Sequence, residues 1–476
     1  MSQGPRVYPL LADRRALFAL VACAGLLLPL DEKLLAVSAS AEEGPGFERQ
    51  ADDAARRIPK FKQSARKAPK VSRVAIRGSA ESGFVLSRDG QPLSLQGAGG
   101  NSHLELVKAC GGNAIRTWGI DQLDSKVDGV RLADRARDLD LAIVAGIWLG
   151  HEENGFNYSD PAQVEAQRES VRAAVRKYKD EPALLIWGLG NEMEGPGSPG
   201  DDPRIWNEVN VLAGIVKKED PEHPVMTVIA GASEKKVRSV ATLCPDVDIL
   251  GVNAYAGAGG VGQAVKSFGW RKPFVLTEFG PPGFWEVATT PWGAPIEPNS
   301  TRKAKVYAAS QAGVTASRGQ ALGSFAFTWG YKQEATATWF GMFLPSGEKL
   351  GAVDEICLAW SGRRPQDRCP EIAALDSTLS GGSAPRGSQA VATVDANDPD
   401  GDQLSYEWQV VSENADKSLG GGPQALPAVH PDCILQAEGR RVRFKVPEAP
   451  GAYRLFVYVR DGRGSAATAN FPFRSQ

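Results

Sequence analysis

The chain has 476 residues, a formal net charge of -2, 42% hydrophobic residues and 23% charged ones. That length holds two or three domains with ample core, and the balance is that of a soluble globular protein. Near-neutrality gives no general reason to expect nucleic acid as a partner. The His residues are few (His103, His151, His223, His430) and none is spaced as a metal ligand to another, so neither a metal site nor a cofactor is expected.

Arg14-Arg15 precede an apolar run from Ala16 to Leu30, and Ala39-Ser40-Ala41 offers a small-residue cleavage site. Residues 1–41 therefore read as a signal peptide, which implies a periplasmic or extracellular protein. An uncleaved anchor, or a lipoprotein signal ending in Leu20-Val21-Ala22-Cys23, are the other readings. Membrane attachment is expected only through this segment. Residues 42–72 are rich in Ala, Arg, Lys and Pro without apolar periodicity and read as a flexible tether. After Cys23 come Cys110, Cys244, Cys357, Cys369 and Cys433. Export permits oxidation, and Cys357 with Cys369, close in sequence, is the expected pair.

Order is expected from residue 73. Phe84 to Leu93 reads as a hairpin turning at Asp89-Gly90. Short apolar strands then alternate with amphipathic helices. The expected strands are Leu93–Gln96, Ala114–Thr117, Ala142–Ile147, Leu184–Leu189, Val225–Ile229, Ile249–Asn253, Phe274–Thr277 and Gly323–Thr328. Helices are expected over Pro161–Lys179, Pro203–Glu219, Lys235–Leu243 and Thr301–Arg318; Asp160-Pro161 and Asp202-Pro203 supply an N-cap and a first-turn Pro. Eight such repeats over about 270 residues match an α/β (β/α)8 barrel, a TIM barrel, over residues 73–370. A doubly wound sheet would need a phosphate loop, and Gly97-Ala98-Gly99-Gly100-Asn101 lacks its spacing.

Composition changes at residue 371. Residues 371–387, rich in Ser, Gly and Pro toward their end, read as a linker. Residues 388–476 read as a small all-β, immunoglobulin-like sandwich with strands over Ala390–Val394, Leu404–Val411, Arg441–Val446 and Tyr453–Arg460. Asp398-Pro399-Asp400-Gly401-Asp402 reads as a turn; it lacks the full ligand series of a calcium loop.

The chemistry concentrates at two strand ends. Leu184 to Leu189 is a continuous apolar run followed by Gly190-Asn191-Glu192, and Phe274 to Leu276 leads into Thr277-Glu278-Phe279-Gly280. Such runs read as strands buried on both faces. The polar residues at their C-terminal ends then face the mouth of the barrel. Glycoside hydrolysis needs two carboxyls, one to protonate the leaving oxygen and one to attack or to activate water. A single Glu after a buried strand can equally cap the next helix.

These motifs resemble those of the retaining glycoside hydrolases of clan A, which carry an Asn-Glu acid/base after strand four and a nucleophilic Glu after strand seven. Gly112-Asn113-Ala114-Ile115-Arg116-Thr117-Trp118 is similar to the second-strand arginine motif of the family 2 catalytic domain, and Asn253-Ala254-Tyr255 to the clan's tyrosine after strand six. Trp329 stands where the clan places an aromatic floor after strand eight. The likeness covers about residues 84 to 360, as a single (β/α)8 unit. It lacks the sandwich domains that precede the barrel in family 2, and is also similar to single-barrel β-glucanases and β-glucanosyl transferases.

The resemblance implies Glu192 as acid/base and Glu278 as nucleophile, acting on a β-linked oligo- or polysaccharide. Glu192 then needs burial or a negative neighbour to keep its proton, and Glu278 needs Arg116 and Tyr255 as partners. Asn191 suits the hydroxyl beside the reacting carbon. Trp118, Trp148 and Trp329 offer faces for a pyranose, or else belong to the core. His151 and Gln333 are further candidate sugar contacts; a His at this place is as readily structural. Glu194 either raises the acid's pKa or faces water. The long loops Pro281–Asn299 and Trp329–Gly351, with Phe284, Trp285, Trp292, Tyr331, Trp339 and Phe340, read as subsite walls or as a hydrophobic mini-core. The leading reading is an exported retaining β-glycosidase or β-glucanase. Transglycosylation by the same residues and a non-catalytic glycan-binding envelope protein are the alternatives.

Overall fold

The computed structural model describes residues 71–127, 129–419 and 421–476. The expected signal peptide and nearly all of the expected tether lie outside the described residues. Among the described residues no helix is long and apolar enough to cross a membrane.

Strands β1 (Leu95–Gly99), β2 (Ala114–Arg116), β3 (Ala142–Ile147), β4 (Leu184–Leu189), β5 (Val225–Ala230), β6 (Ile249–Asn253), β7 (Phe274–Phe279) and β8 (Ala321–Ala326) pair in chain order and close into a parallel barrel. A helix follows each strand: α1 (Leu104–Ala109), α2 (Leu132–Asp138), α3 (Pro161–Tyr178), α4 (Pro203–Glu219), α5 (Glu234–Leu243), α6 (Val261–Ser267), α7 (Ser300–Ala316) and α8 (Gly351–Ser361). The chain is a (β/α)8 barrel in this region. Its strands are apolar throughout because both faces are covered. Val144, Met226, Val228, Val275 and Phe325 fill the interior. Ile143, Ala145, Leu250, Val252 and Leu276 pack with Val209, Leu212 and Val237 of the helices.

Local chemistry explains the element boundaries. Asp160 caps α3 by accepting from Ala162 N at 2.9 Å, and Asp202 caps α4 by accepting from Arg204 N at 2.9 Å, with Pro at the first helical turn in both. The antiparallel N-terminal sheet (Val74–Ser79, Gly83–Arg88, Gln91–Pro92) turns at Asp89 and Gly90, which both take positive φ, as a two-residue hairpin requires. Leu86 of this sheet joins the interior cluster, with Val74, Ile76 and Phe84 packed against it. Phe84 N donates to Gly319 O at 2.5 Å and Val74 N to Glu222 O at 3.1 Å, so the sheet closes the N-terminal end of the barrel.

The C-terminal region is a β-sandwich. One sheet runs β9 (Lys349–Leu350), β17 (Ser465–Ser475), β16 (Gly451–Arg460) and β13 (Ser405–Ser412), with β11 (Ser383–Ala384) also paired to β17. The other runs β10 (Glu371–Ser377), β12 (Gln389–Asn397), β15 (Arg441–Lys445) and β14 (Ile434–Glu438). Val410, Leu455, Val457 and Phe473 meet Val394, Val442 and Phe444 between them. Within the acidic turn, Asp398 accepts from Asp400 N and Asp402 N. The carboxylates of Asp367, Asp400 and Asp402 gather nearby, each already holding a protein donor.

Two expectations need correction. Residues 371–387 are not a linker: β10 pairs antiparallel with β12, Leu375 opposite Val394, and Ile372 is buried. The Ser, Gly and Pro residues there mark only the turns on either side of β11. The disulfide joins Cys110 to Cys357, not Cys357 to Cys369. Barrel closure sets α8 beside α1, bringing together residues 247 apart in sequence, while Cys369 is buried against Lys349.

Sandwich and barrel share structure. Strand β9 belongs to the loop after β8 and pairs parallel with Ser465 and Ala466 of β17. Leu344 and Leu350 of that loop bury with Val411, Phe456, Tyr458 and Ala466. Deeper still, Glu297 is buried and accepts from Lys303, from Thr336 Oγ1 at 2.7 Å, from Thr338 Oγ1 at 2.8 Å and from Asn470 Nδ2 at 2.7 Å. Arg454, also buried, pairs with Glu413 at 2.6 Å and donates to Pro295 O at 2.6 Å and Asn470 Oδ1 at 2.8 Å. Both long loops of the barrel mouth are thus tied to the sandwich by charges that cannot be separated cheaply.

Candidate active site

A cleft of about 930 Å³ opens at the C-terminal ends of the barrel strands and holds both Glu192 and Glu278. That volume is within the usual range for a small-ligand site.

Glu278, the fifth residue of β7, is buried, with donors converging from separate strand ends. Arg116 Nη1, from the last residue of β2, donates to Oε1 at 2.8 Å, Trp118 Nε1 to the same oxygen at 2.8 Å, and Tyr255 OH to Oε2 at 2.8 Å. The guanidinium is itself buried and lies 5.2 Å from the centre of the Trp118 ring. Its other nitrogen, Nη2, donates to Asn191 Oδ1 at 2.7 Å, linking the Glu278 side of the cleft to the β4 side.

Glu192 is carried differently. The chain leaves β4 through Gly190 at φ +68 and sets Glu192 itself in the left-handed region at φ +54. That positive φ favours glycine, and a Cβ at Gly190 would also push on Met193 Sδ, 2.4 Å away. A left-handed Glu costs on the order of 1–3 kcal/mol and persists only where the surroundings over-determine it. Here Glu192 N donates to Val228 O at 3.0 Å, and Asn253 Nδ2 donates to both Glu192 Oε1 at 2.7 Å and Asn191 Oδ1 at 3.1 Å. Asn253 is held in turn by Thr277 Oγ1, which donates to its Oδ1 at 2.8 Å. Burial and the nearby charge of Glu278 push the Glu192 carboxyl up to about 7, against the opposing Asn253 hydrogen bond. Burial and the same two carboxylates hold the Tyr255 phenol well above its ordinary value, which keeps it a donor.

The structure brings Arg116, Trp118, Asn191 and Tyr255 together with the Glu pair. Trp148, half exposed, lines the cleft near Pro196 and Gly197. Three expected contacts lie elsewhere. Trp329 is buried, stacked on Trp360 at 5.7 Å, because the chain turns after β8 so that Trp329 N donates to Gly99 O and the ring aims away from the mouth. Phe327 lines the cleft in its stead. His151 is buried behind Trp148, stacked on its ring at 5.0 Å, and burial lowers its pKa; it supports the Trp rather than reaching the cleft. Gln333 does not line the cleft, while Lys332 and Glu334 on either side of it do. Glu194 is buried against Lys236 at 3.0 Å and accepts from Ala230 N at 2.7 Å, a lesser contributor to the raised pKa of Glu192.

Several lining residues carried little sequence signal. Asn253 stood in a motif, yet nothing local told that its amide would bridge both Glu192 and Asn191. The two long loops prove to be wall and mini-core at once: Phe284, Trp339 and Phe340 bury together with Phe327, while Trp285, Glu286, Tyr331 and Glu334 face the cleft. Leu419 and Gly421, from the sandwich, also line it.

No family model matches the chain. It is similar to mannan endo-1,4-beta-mannosidase 7 of Oryza sativa subsp. japonica, 32% identical over 111 residues, 21% of this chain and 28% of that protein. It is also similar to mannan endo-1,4-beta-mannosidase F of Aspergillus clavatus, 39% identical over 57 residues, 12% of this chain and 13% of that protein. The chain thus spans less than a third of the length of the curated relatives it matches. Among solved structures it is similar to a Bacteroides uniformis beta-glucuronidase, with 13% identity, TM-score 0.45, and coverage of 85% of this chain and 48% of that one. A Ruminococcus gnavus beta-glucuronidase gives 15% identity, TM-score 0.47, and coverage of 61% and 53%. In its closed barrel and in the motifs ending β2, β4, β6 and β7, the chain resembles the (β/α)8 glycoside hydrolases of clan A.

Proposed function

We propose that this chain is a retaining β-glycoside hydrolase acting by double displacement. The observation that carries the reading is the asymmetry of the two carboxyls. Glu192 keeps a proton up to about pH 7, while Glu278 accepts from Arg116, Trp118 and Tyr255. Such a division of environments between two carboxyls assigns the acid and the nucleophile.

In the first step the Glu278 carboxylate attacks the anomeric carbon as Glu192 gives its proton to the departing oxygen, leaving a glycosyl-enzyme ester. In the second, Glu192, now a carboxylate, takes a proton from the water that attacks the same carbon, and Glu278 leaves. Asn191, oriented by Arg116 and Asn253, is placed to bind the hydroxyl beside that carbon.

The cleft wall favours an uncharged substrate. Among the described residues lining it, the cation Lys332 is already paired with Glu334 at 3.1 Å, Glu278 is matched by Arg116 at 2.8 Å, and Glu286 adds a further carboxylate. A uronic acid would meet no unpaired cation among these residues and would lie near the Glu286 carboxylate. A neutral β-linked glucan, mannan or galactan would not, and the two mannanases to which the chain is similar make mannan a natural member of the panel.

Action outside the cytoplasm belongs to the same proposal. It rests on the N-terminal pattern and on the Cys110–Cys357 disulfide, which suits an oxidising compartment. The test of function is product analysis on β-1,4-, β-1,3- and β-1,6-linked glucans, mannan and galactan, with NMR following the anomeric configuration. New β-anomer in shorter chains is expected. Chains longer than the substrate would make the enzyme a transglycosylase. New α-anomer would overturn retention, and no product from any of them would favour a glycan-binding protein.

A further inference from the structure

The turn that carries Glu192 is fastened by more than its own backbone. Two residues on, the side chain of Glu194 is buried against Lys236 of α5. Its Oε1 accepts twice, from Ala230 N at 2.7 Å and from Lys236 Nζ at 3.0 Å. Lys236 Nζ also donates to Ala230 O at 2.5 Å. Carboxylate, ammonium and the backbone of Ala230, the last residue of β5, thus close into one clasp. The stem of Lys236 lies against Gly200, where φ is +74 and a Cβ would come within 2.4 Å of Lys236 Cγ. Both ends of the loop from Glu194 to Gly200 are therefore held by the same lysine.

A buried ion pair adds little stability over an apolar pair of its volume. What this pair supplies is direction. Glu192 sits at φ +54, a conformation that lasts only where its surroundings over-determine it. The turn's own backbone provides two ties, Glu192 N to Val228 O at 3.0 Å and Gly195 N to Glu192 O at 2.9 Å. Glu194 adds a third, to the same strand β5 but two residues further along. Ala230 pairs in register with Asn253 of β6, whose amide donates to Glu192 Oε1. The anchor of the turn and the donor to the carboxyl are therefore neighbours on adjacent strands. Glu278 takes its donors from Arg116, Trp118 and Tyr255, outside this clasp.

We propose that the Glu194–Lys236 pair positions the general acid, holding the left-handed turn so that the Glu192 carboxyl stays on Asn253 and faces the departing oxygen. Glu194 and Lys236 are positioning residues that act through Glu192. Without the pair the turn relaxes toward ordinary backbone and withdraws the proton donor, while Glu278 keeps its partners and its attack. The inference rests on the glycosidase reading above.

The test uses phenyl and 2,4-dinitrophenyl β-glycosides of mono- and disaccharides of glucose, mannose and galactose. Phenol departs only with a proton from the acid, whereas dinitrophenolate departs without one. The readout is kcat/KM, which reports the first chemical step alone. Glu194→Leu combined with Lys236→Met replaces the pair by apolar side chains of similar volume, and thermal melting establishes that it is folded. This variant is expected to lose about 10–100-fold on phenyl glycosides, the scale of a misplaced reacting group, and about twofold or less on dinitrophenyl glycosides. Lys236→Met alone, which leaves Glu194 holding Ala230 N, should show the same selectivity more weakly. Glu194→Gln, which keeps an acceptor for Ala230 N and Lys236, should recover most of the loss. Equal losses with both leaving groups, or none with either, in the folded variants would overturn the proposal. The glycosidase reading then still stands if Glu192→Gln loses the phenyl glycosides selectively. If Glu192→Gln shows no such preference, or wild type turns over none of these glycosides, the reading and the proposal fall together.

Discussion

The two ends of the cleft are built on different principles. On the barrel side, Arg116, Glu192, Asn253 and Glu278 project from the ends of buried parallel strands or the turns just after them, and their hydrogen bonds run from strand to strand. On the sandwich side, Lys332, Glu334 and Leu419 sit on long loops, and the buried Glu297 and Arg454 tie the loops after β7 and β8 to the second domain. The candidate catalytic groups stand on the barrel strands, and part of the cleft wall stands on braced loops. This division is expected, since reacting groups need tight placement and strands supply it better than loops.

Four substitutions break or sharpen that contrast. The largest effect is expected for Glu278→Gln, which should lower kcat by about 10^4-fold or more, since a nucleophile cannot be replaced by its neighbours. Hydrolysis of an aryl β-glycoside under saturating conditions measures it. Next, Glu192→Gln should cost on the order of 10²–10⁴ in kcat with a poor leaving group. In wild type, activity should fall as pH rises through about 7, where Glu192 loses its proton, and the variant should lack this limb. Fold stability falls with rising pH as activity does, but the substitution lowers activity while raising stability. With a folded value of about 7 against an ordinary 4.5, the wild-type fold loses stability as pH rises between the two. Glu192→Gln should therefore stabilise the protein at pH 8, by about 3 kcal/mol at most, and leave it unchanged at pH 4.

The sandwich side predicts the opposite profile. Glu297→Gln leaves Lys303 buried without its partner and should cost about 3–5 kcal/mol of stability in urea titrations. The variant's chemistry on an aryl glycoside should suffer far less than that of either Glu variant at temperatures where it is folded. If Glu297→Gln abolished turnover in the folded state, the separation of chemistry from bracing would be wrong. Smallest is Tyr255→Phe, which removes one hydrogen bond to a carboxylate and should lower kcat/KM about 10–100-fold. Equal losses for glycosides with good and poor leaving groups would place the Tyr255 effect on the nucleophile; a loss confined to poor ones would place it on the acid.

The barrel was legible because its signals are local. A strand buried on both faces must be apolar along its whole length, and the polar residue ending such a run has only the barrel mouth to face. Hence β3, β4 and β6 coincide with the expected strands, and Glu192 and Glu278 stand out at strand ends; Arg116 and Tyr255 are named from the resemblance to clan A. Trp329 shows where the same logic stops. One turn of the chain after β8 sent its ring toward Trp360 and gave the cleft Phe327, and no pattern in the residues distinguishes those two outcomes.

What the sequence by itself determined is the repeat of eight strands and helices, the two carboxyls and the order in which strands deliver them. What only the tertiary structure decided is everything joined across long separations: the Cys110–Cys357 bond made by barrel closure, β9 lent to the sandwich, Asn253 shared between Asn191 and Glu192, and Leu419 brought to the cleft. The reason is physical. Periodicity and end residues report a segment's own burial, whereas a contact between distant segments depends on how whole elements pack, and no single segment carries a record of its partner.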